Sequence, residues 1–276
     1  MNWQEKMDAT FGRILYVDNG VVELKIPLDY GIRIGHFSFI GQKNVFFEQP
    51  ADMTELTTED GWRIRGGHRL WLAPENLDTY CPDNDPITYE IRGEQIILCQ
   101  EKDAMIGVKK SIQISFKEDA SVHLVHRVEN CSNETIVRSL WAVSAMAPGG
   151  TEYIPLGHRE GEMSHWHRIS WWDHTCLGDE RVIYEKERIQ IRQLPIQKPY
   201  KIGVGHPDGS VQYINNHAIF EKTYDINMNA VYPDGNVSFE TYFCQHMAEI
   251  ESLSPLYTIN PGETAEHQEL WTLYKV

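Results

Sequence analysis

Short apolar and β-branched runs recur along the whole chain, each closed by glycine, asparagine, aspartate or proline, and apolar residues almost nowhere return at helical spacing. This pattern constrains the fold most, because strands separated at close intervals by turn signals assemble into a sandwich or barrel. Residues 12–17 and 21–26 flank Asp18-Asn19-Gly20, a hairpin signal. Residues 32–39 and 44–48 flank Gly41, and residues 87–91 and 95–99 flank Arg92-Gly93-Glu94. Longer strands are expected over 105–116, 122–128 and 136–147, and later ones over 189–193, 200–204, 211–215, 217–223, 238–246 and 266–273. Asp208-Gly209 and Asp234-Gly235 mark further turns. No linker, repeat or low-complexity stretch interrupts the series, so residues 1–276 read as one all-β domain.

Charge narrows the partners. The formal net charge of -15 repels phosphate backbones and anionic lipid, which argues against nucleic acid and membrane surfaces and leaves small molecules. No run of about 18 apolar residues is present. The opening Met1-Asn2-Trp3-Gln4-Glu5-Lys6-Met7-Asp8 lacks the apolar core of a signal peptide. Cys81, Cys99, Cys131, Cys176 and Cys244 are odd in number and free of CxxC spacing, which fits a reducing compartment, so a cytoplasmic location is expected. The oligomeric state is not legible.

Three stretches carry the chemistry. In Glu249-Ile250-Glu251 a strand would point both acids the same way, with Cα atoms about 7 Å apart. Two acids on one face beside an apolar layer push their pKa values apart, which makes a base of one of them. A solvated edge strand with two surface acids fits the spacing equally. Gly66-Gly67-His68-Arg69-Leu70-Trp71 offers a close backbone approach, a proton donor, a fixed cation and a stacking plate, the mixture that binds sugars. A glycine turn with a buried histidine and a core tryptophan is the alternative. Residues 155–180 hold His158, His165, His167, His174, Trp166, Trp171 and Trp172, the density expected of a ligand-shaping loop, with a short helix starting near Ser164. His165 and His167 would share a strand face, but two ligands without a fixed third make a poor metal site, so no metal or other cofactor is expected.

Taken in order, these stretches resemble the galactose mutarotase-like (aldose 1-epimerase) superfamily. The matching segments are Gly31-Ile32-Arg33-Ile34 with Asn44, the Gly66 to Trp71 stretch, Asn130 through Trp141 to Pro148-Gly149-Gly150, Lys201-Ile202-Gly203, Tyr232-Pro233-Asp234-Gly235, and the end from Glu249 through Pro261-Gly262-Glu263 to Trp271. The resemblance implies a β-supersandwich with a sugar cleft across one concave sheet. It gives Glu251 the base role, taking the proton of the anomeric hydroxyl. It also implies a mid-chain histidine that protonates the ring oxygen, but Leu140-Trp141-Ala142-Val143-Ser144-Ala145-Met146 contains none. His68 is the first replacement, with His165 and His167 next. Arg33, Asn44, Arg69, Trp71, Lys201 and Glu249 complete the expected substrate contacts, and His68 and Arg69 are expected to line the cleft with Glu251. Trp141 reads as core. The leading expectation is an aldose 1-epimerase-like enzyme working on a carbohydrate by general acid–base catalysis. A non-catalytic carbohydrate-binding protein of the same fold and a metal-assisted sugar-acid isomerase or lyase are the alternatives.

Overall fold

The computed structural model describes residues 1–53, 55–59, 61–117, 119–157, 166–205, 208–215 and 217–276. Almost every regular element in it is a strand; helix is confined to one turn at Leu77–Tyr80 and one at Pro233–Asn236. All strand pairs are antiparallel, in three sheets.

A ten-stranded sheet runs in the order Val182–Tyr184, Arg188–Arg192, Thr151–Pro155, Ser210–Ile214, Ile219–Tyr224, Thr264–Tyr274, Ser121–Asn130, Val108–Phe116, Gln95–Cys99, Thr88–Arg92. Facing it is a sheet in the order Arg168–Trp171, Tyr200–Gly205, Phe239–Phe243, Ala248–Leu253, Ile136–Met146, Gly67–Ala73, Arg33–Ile34, and Tyr257–Ile259 pairs with the far end of Ile136–Met146. A four-stranded sheet of Asn2–Asp8, Gly12–Asp18, Val22–Pro27 and His36–Phe39 completes the set.

Period-two patterning explains how the large sheets meet. Along Thr264–Tyr274 the odd-numbered side chains Ala265, His267, Glu269, Trp271 and Leu273 are buried while their even-numbered neighbours face outward. Trp271 packs edge-on against Phe46 and Phe220 and tilted against Phe37, which ties all three sheets into one apolar layer.

Several expected strands form close to their expected limits, among them Gln95–Cys99 and Ile136–Met146. Three differences matter. The expected strand over 32–39 is broken into Arg33–Ile34 and His36–Phe39, which join different sheets. The stretch 44–48 makes only isolated bridges, Phe46 with Met146 and Glu48 with Gly66. The Gly66 to Trp71 stretch, expected as a ligand-binding segment with a glycine turn as the alternative, leads into a fully buried central strand, Gly67–Ala73. Gly66 and Gly67 enter it with φ of +82° and +72°, and a side chain on either would run into the carbonyl of Phe47 or of Ile34.

Candidate active site

The two faces of the central strands do different work. Along Gly67–Ala73, His68, Leu70 and Leu72 face the layer between the sheets, while Arg69 and Trp71 face outward. Trp141, Glu251 and Glu249 project outward from the next strands, as do Glu240 and Tyr242 from Phe239–Phe243 and Lys201 from Tyr200–Gly205. Cross-strand register aligns them: Glu251 is paired with Val143 on one side and with Glu240 on the other.

Of these, Arg69, Trp71, Trp141, Lys201, Tyr242 and Glu249 line a cleft of about 290 Å³, at the small end of the range for ligand sites, and Glu240 and Glu251 are buried beside them. Its walls are aromatic. Trp71 meets Trp62, Tyr80 and Trp141 at ring separations between 5.1 and 5.5 Å. The Arg69 guanidinium lies over Trp71 at 4.2 Å and reaches Glu249 at 3.2 Å. Trp172 and His174 close the cleft from the loop after the strand Arg168–Trp171.

Beneath it lies a buried cluster of charges. Lys201 Nζ stands 2.9 Å from Glu240, 3.6 Å from Glu251 and 3.6 Å from Glu75, capped by the rings of Trp141 and Trp172 at 4.5 and 4.7 Å. Burial would lower the Lys201 pKa, but Glu251, Glu240 and Glu75 outweigh it and hold the amine protonated. Trp141 Nε1 donates to Glu251 Oε2 at 2.7 Å. Glu251 Oε1 has no protein donor, and neither has Glu240 Oε1. Burial lifts Glu251 to about 7, opposed by Lys201 and reinforced by Glu249. Burial raises Glu240 and Glu249 too, with Lys201 and Arg69 respectively pulling the other way. A carboxyl with one free oxygen that titrates near neutrality has the properties of a general base.

Arg69, Trp71, Lys201 and Glu249 therefore share one cleft, and Glu251 is buried against its Trp141 and Lys201. The other expected site residues do not all join them. His68 is fully buried on the opposite face, because adjacent residues of a strand cannot share a face. Its expected place beside Arg69 in the cleft is corrected accordingly. Arg33 is also buried, bound to Asp83 and donating to the carbonyls of Ile64 and Gly66, so it braces the glycine entry to the strand. Asn44 uses all its capacity on the amides of Phe37 and Phe46, the Gly35 carbonyl and Glu48. His167 is exposed and does not line the cleft. His165 lies outside the described residues, as do His158 and Ser164.

His68 belongs instead to a polar seam between the sheets. His126 Nδ1 faces the His267 carbonyl at 3.1 Å, and a carbonyl only accepts, so that nitrogen carries the proton. His126 Nε2 then accepts from His68 Nε2 at 2.7 Å, and His68 Nδ1 accepts from the Ser144 hydroxyl at 2.9 Å. Burial lowers the pKa of both rings and keeps them neutral. Beside them Lys222 pairs with Glu269 at 2.9 Å and donates to the carbonyls of Ala142 and Ile250. Burial would raise Glu269, but the Lys222 ammonium, foremost, brings it well below the carboxylate range. His68, His126 and Glu269 present three donor atoms close together, yet each is satisfied within the protein and the Lys222 ammonium repels a cation.

Several cleft residues escaped the sequence reading. Trp141 is a wall and a donor to the base rather than core filling. Tyr242, Glu75 and Tyr80, and the buried Glu240 beside them, carried no motif, whereas His174 lies in the histidine- and tryptophan-rich stretch 155–180 expected to shape a ligand site. Alternation in Phe-Glu-Thr-Tyr-Phe was the available signal for Glu240 and Tyr242, once that strand was known to neighbour Ala248–Leu253.

The architecture is that of a galactose mutarotase-like β-sandwich. The chain is similar to a galactose mutarotase-like protein from Lactobacillus casei (TM-score 0.62, 9% identity, 95% of this chain and 100% of that one). It is similar to a presumed aldose 1-epimerase from Escherichia coli K12 (TM-score 0.61, 11% identity, 95% and 99%). It also matches a TPR-domain containing protein from Parabacteroides distasonis (TM-score 0.65, 14% identity), where 95% of this chain covers 47% of that one, about half its length. Comparison with protein-family models finds no match, and neither does comparison with curated protein sequences. At these identities the likeness is one of fold.

Proposed function

We propose that this protein is an aldose 1-epimerase-like isomerase acting on a small carbohydrate, with Glu251 as the general base. One observation carries the reading: Glu251, buried against Trp141 and Lys201 of the aromatic cleft, has an oxygen without a donor and a pKa near neutrality. Aromatic walls suit the C–H faces of a sugar ring, and Arg69, Lys201 and Glu249 suit its hydroxyls. Glu251 Oε1 takes the proton of the anomeric hydroxyl as the C1–O5 bond breaks, and O5 takes a proton from an acid. Rotation about C1–C2 and closure in reverse gives the other anomer. For the acid we assign His174, the histidine that lines the cleft among the described residues. Asp173 stands 3.5 Å from its Nδ1, an ion-pair geometry when the ring is protonated. Five unpaired thiols are in keeping with a cytoplasmic protein.

A second reading, a non-catalytic carbohydrate-binding protein, is favoured by one feature: the residue opposite Glu251 on the adjacent strand is Val143 and offers no proton. Anomer interconversion followed by polarimetry or NMR over a panel of aldoses separates the two. Acceleration by the wild-type protein, lost in both Glu251→Gln and His174→Asn, supports the isomerase; binding without acceleration removes it.

A further inference from the structure

The segment Trp62-Arg63-Ile64-Arg65 has a pocket on each side. Trp62 and Ile64 line the aromatic cleft, while Arg63 and Arg65 alternate with them and line a second, larger pocket of about 510 Å³. Among the described residues the two pockets share no lining side chain. Phe11, Tyr30 and Pro50 give the second pocket its apolar wall.

The Arg65 guanidinium is fixed in place. It lies over the Tyr30 ring at 4.1 Å, and its Nη2 donates to Asn84 Oδ1 at 2.6 Å. Its backbone has φ of +53°, a left-handed conformation that arginine rarely adopts, and its amide donates to Gln49 Oε1 at 3.0 Å. Its Nε is buried without an acceptor, which is unfavourable until something supplies one. Arg63 is exposed. Among the described residues no carboxylate pairs with either arginine, since the nearby Asp83 goes to Arg33. Glu48 lines the pocket too, but it accepts from Asn44 at 2.8 Å and faces His36 at 3.7 Å. Burial first, and then the Arg33 guanidinium, press on the Arg65 cation. In a chain of net charge -15, this pocket therefore holds a surplus of positive charge with donors to spare.

We propose that this pocket binds a small phosphate monoester, its phosphate held between the Arg63 and Arg65 guanidinium groups and its organic part along Phe11 and Pro50. Guanidinium forks match phosphate oxygens, and a tetrahedral group with three free oxygens can be met from two sides at once. A bare oxyanion would leave most of the pocket unfilled, which favours an ester. The site is separate from the cleft and does not depend on the isomerase reading.

The test is titration of the full-length protein, by calorimetry or NMR at constant ionic strength, with glycerol 3-phosphate, inorganic phosphate and acetate. Glycerol 3-phosphate is expected to bind tightest and acetate weakest. Arg63→Gln, at an exposed position that should not disturb folding, is expected to weaken both phosphate compounds at least about tenfold. Arg92→Gln, at the turn between Thr88–Arg92 and Gln95–Cys99, is expected to change nothing. No binding of either phosphate compound by the wild type overturns the proposal, as does acetate binding as tightly. Unchanged affinity in Arg63→Gln overturns it, and so does an equal loss in Arg92→Gln, which would mean charge screening alone. Affinity lost in His174→Asn and kept in Arg63→Gln would put the anion in the cleft and overturn it as well. Inorganic phosphate binding as tightly as the ester would overturn the monoester as the ligand.

Discussion

The indole nitrogen of Trp141 donates to Glu251 at 2.7 Å and occupies one carboxyl oxygen, while the other oxygen is buried without a donor. One residue of a neighbouring strand thereby aims the carboxyl and moderates its basicity. Removing that donor while keeping the ring, as in Trp141→Phe, should raise the Glu251 pKa further. The acid limb of the kcat/KM profile should move to higher pH, with a several-fold loss of rate at pH 7. A profile that does not move would separate the hydrogen bond from the proton chemistry.

Glu251→Gln keeps the shape and deletes the base. Turnover of any sugar that the wild type converts should fall by about 100-fold or more. Glu249→Gln should cost less, because it acts on Glu251 through charge and not by contact with the proton. Steady-state rates of the two variants, side by side, check the ranking.

The same carboxyl makes stability depend on pH. Its folded value of about 7 exceeds its ordinary 4.5, so the folded state holds a proton that the unfolded chain releases over that interval. The stabilisation it contributes is complete below about pH 4.5 and is lost as the pH rises through about 7. Glu251→Gln should therefore match the wild type in acid and become the more stable protein by up to about 3 kcal/mol at pH 8. Denaturant unfolding at several pH values measures the difference. A constant gap between the two proteins would contradict the assignment.

Histidine substitutions should divide by face. His68→Asn loses hydrogen bonds to Ser144 and His126 inside the protein and should cost about 1–3 kcal/mol of stability. What remains folded should still convert substrate. His174→Asn should leave the melting temperature nearly unchanged and lose most of the turnover. Inactivity of folded His68→Asn with active His174→Asn would reverse the roles.

Much of the fold was legible, because turn residues punctuate the strands and alternation fixes the faces of elements such as Thr264–Tyr274. The acidic pair was legible for the same reason, since period two puts Glu249 and Glu251 side by side wherever the strand lies. His68 was misjudged because two glycines with a neighbouring arginine look like a ligand loop. Only the close approach of the Phe47 and Ile34 carbonyls shows that the glycines are needed to admit a central strand. Arg33 and Asn44 are likewise expected as ligand contacts, whereas here Arg33 holds the Ile64 and Gly66 carbonyls and Asn44 holds the Phe37 and Phe46 amides. Glu240 and Trp141 stayed hidden because a site built across five strands depends on strand order, and local patterns do not encode it.

The ammonium of Lys222, rooted in the ten-stranded sheet beside Glu269 of that same sheet, donates to carbonyls of two adjacent strands of the facing sheet. The sheets cannot slide by one residue or rotate against each other without pulling a buried ammonium off both carbonyls in a medium that does not solvate it. They must part completely or stay in register. The strand bearing Glu251 is thus locked from its hidden side, and its amides should be among the last in the molecule to exchange with deuterium.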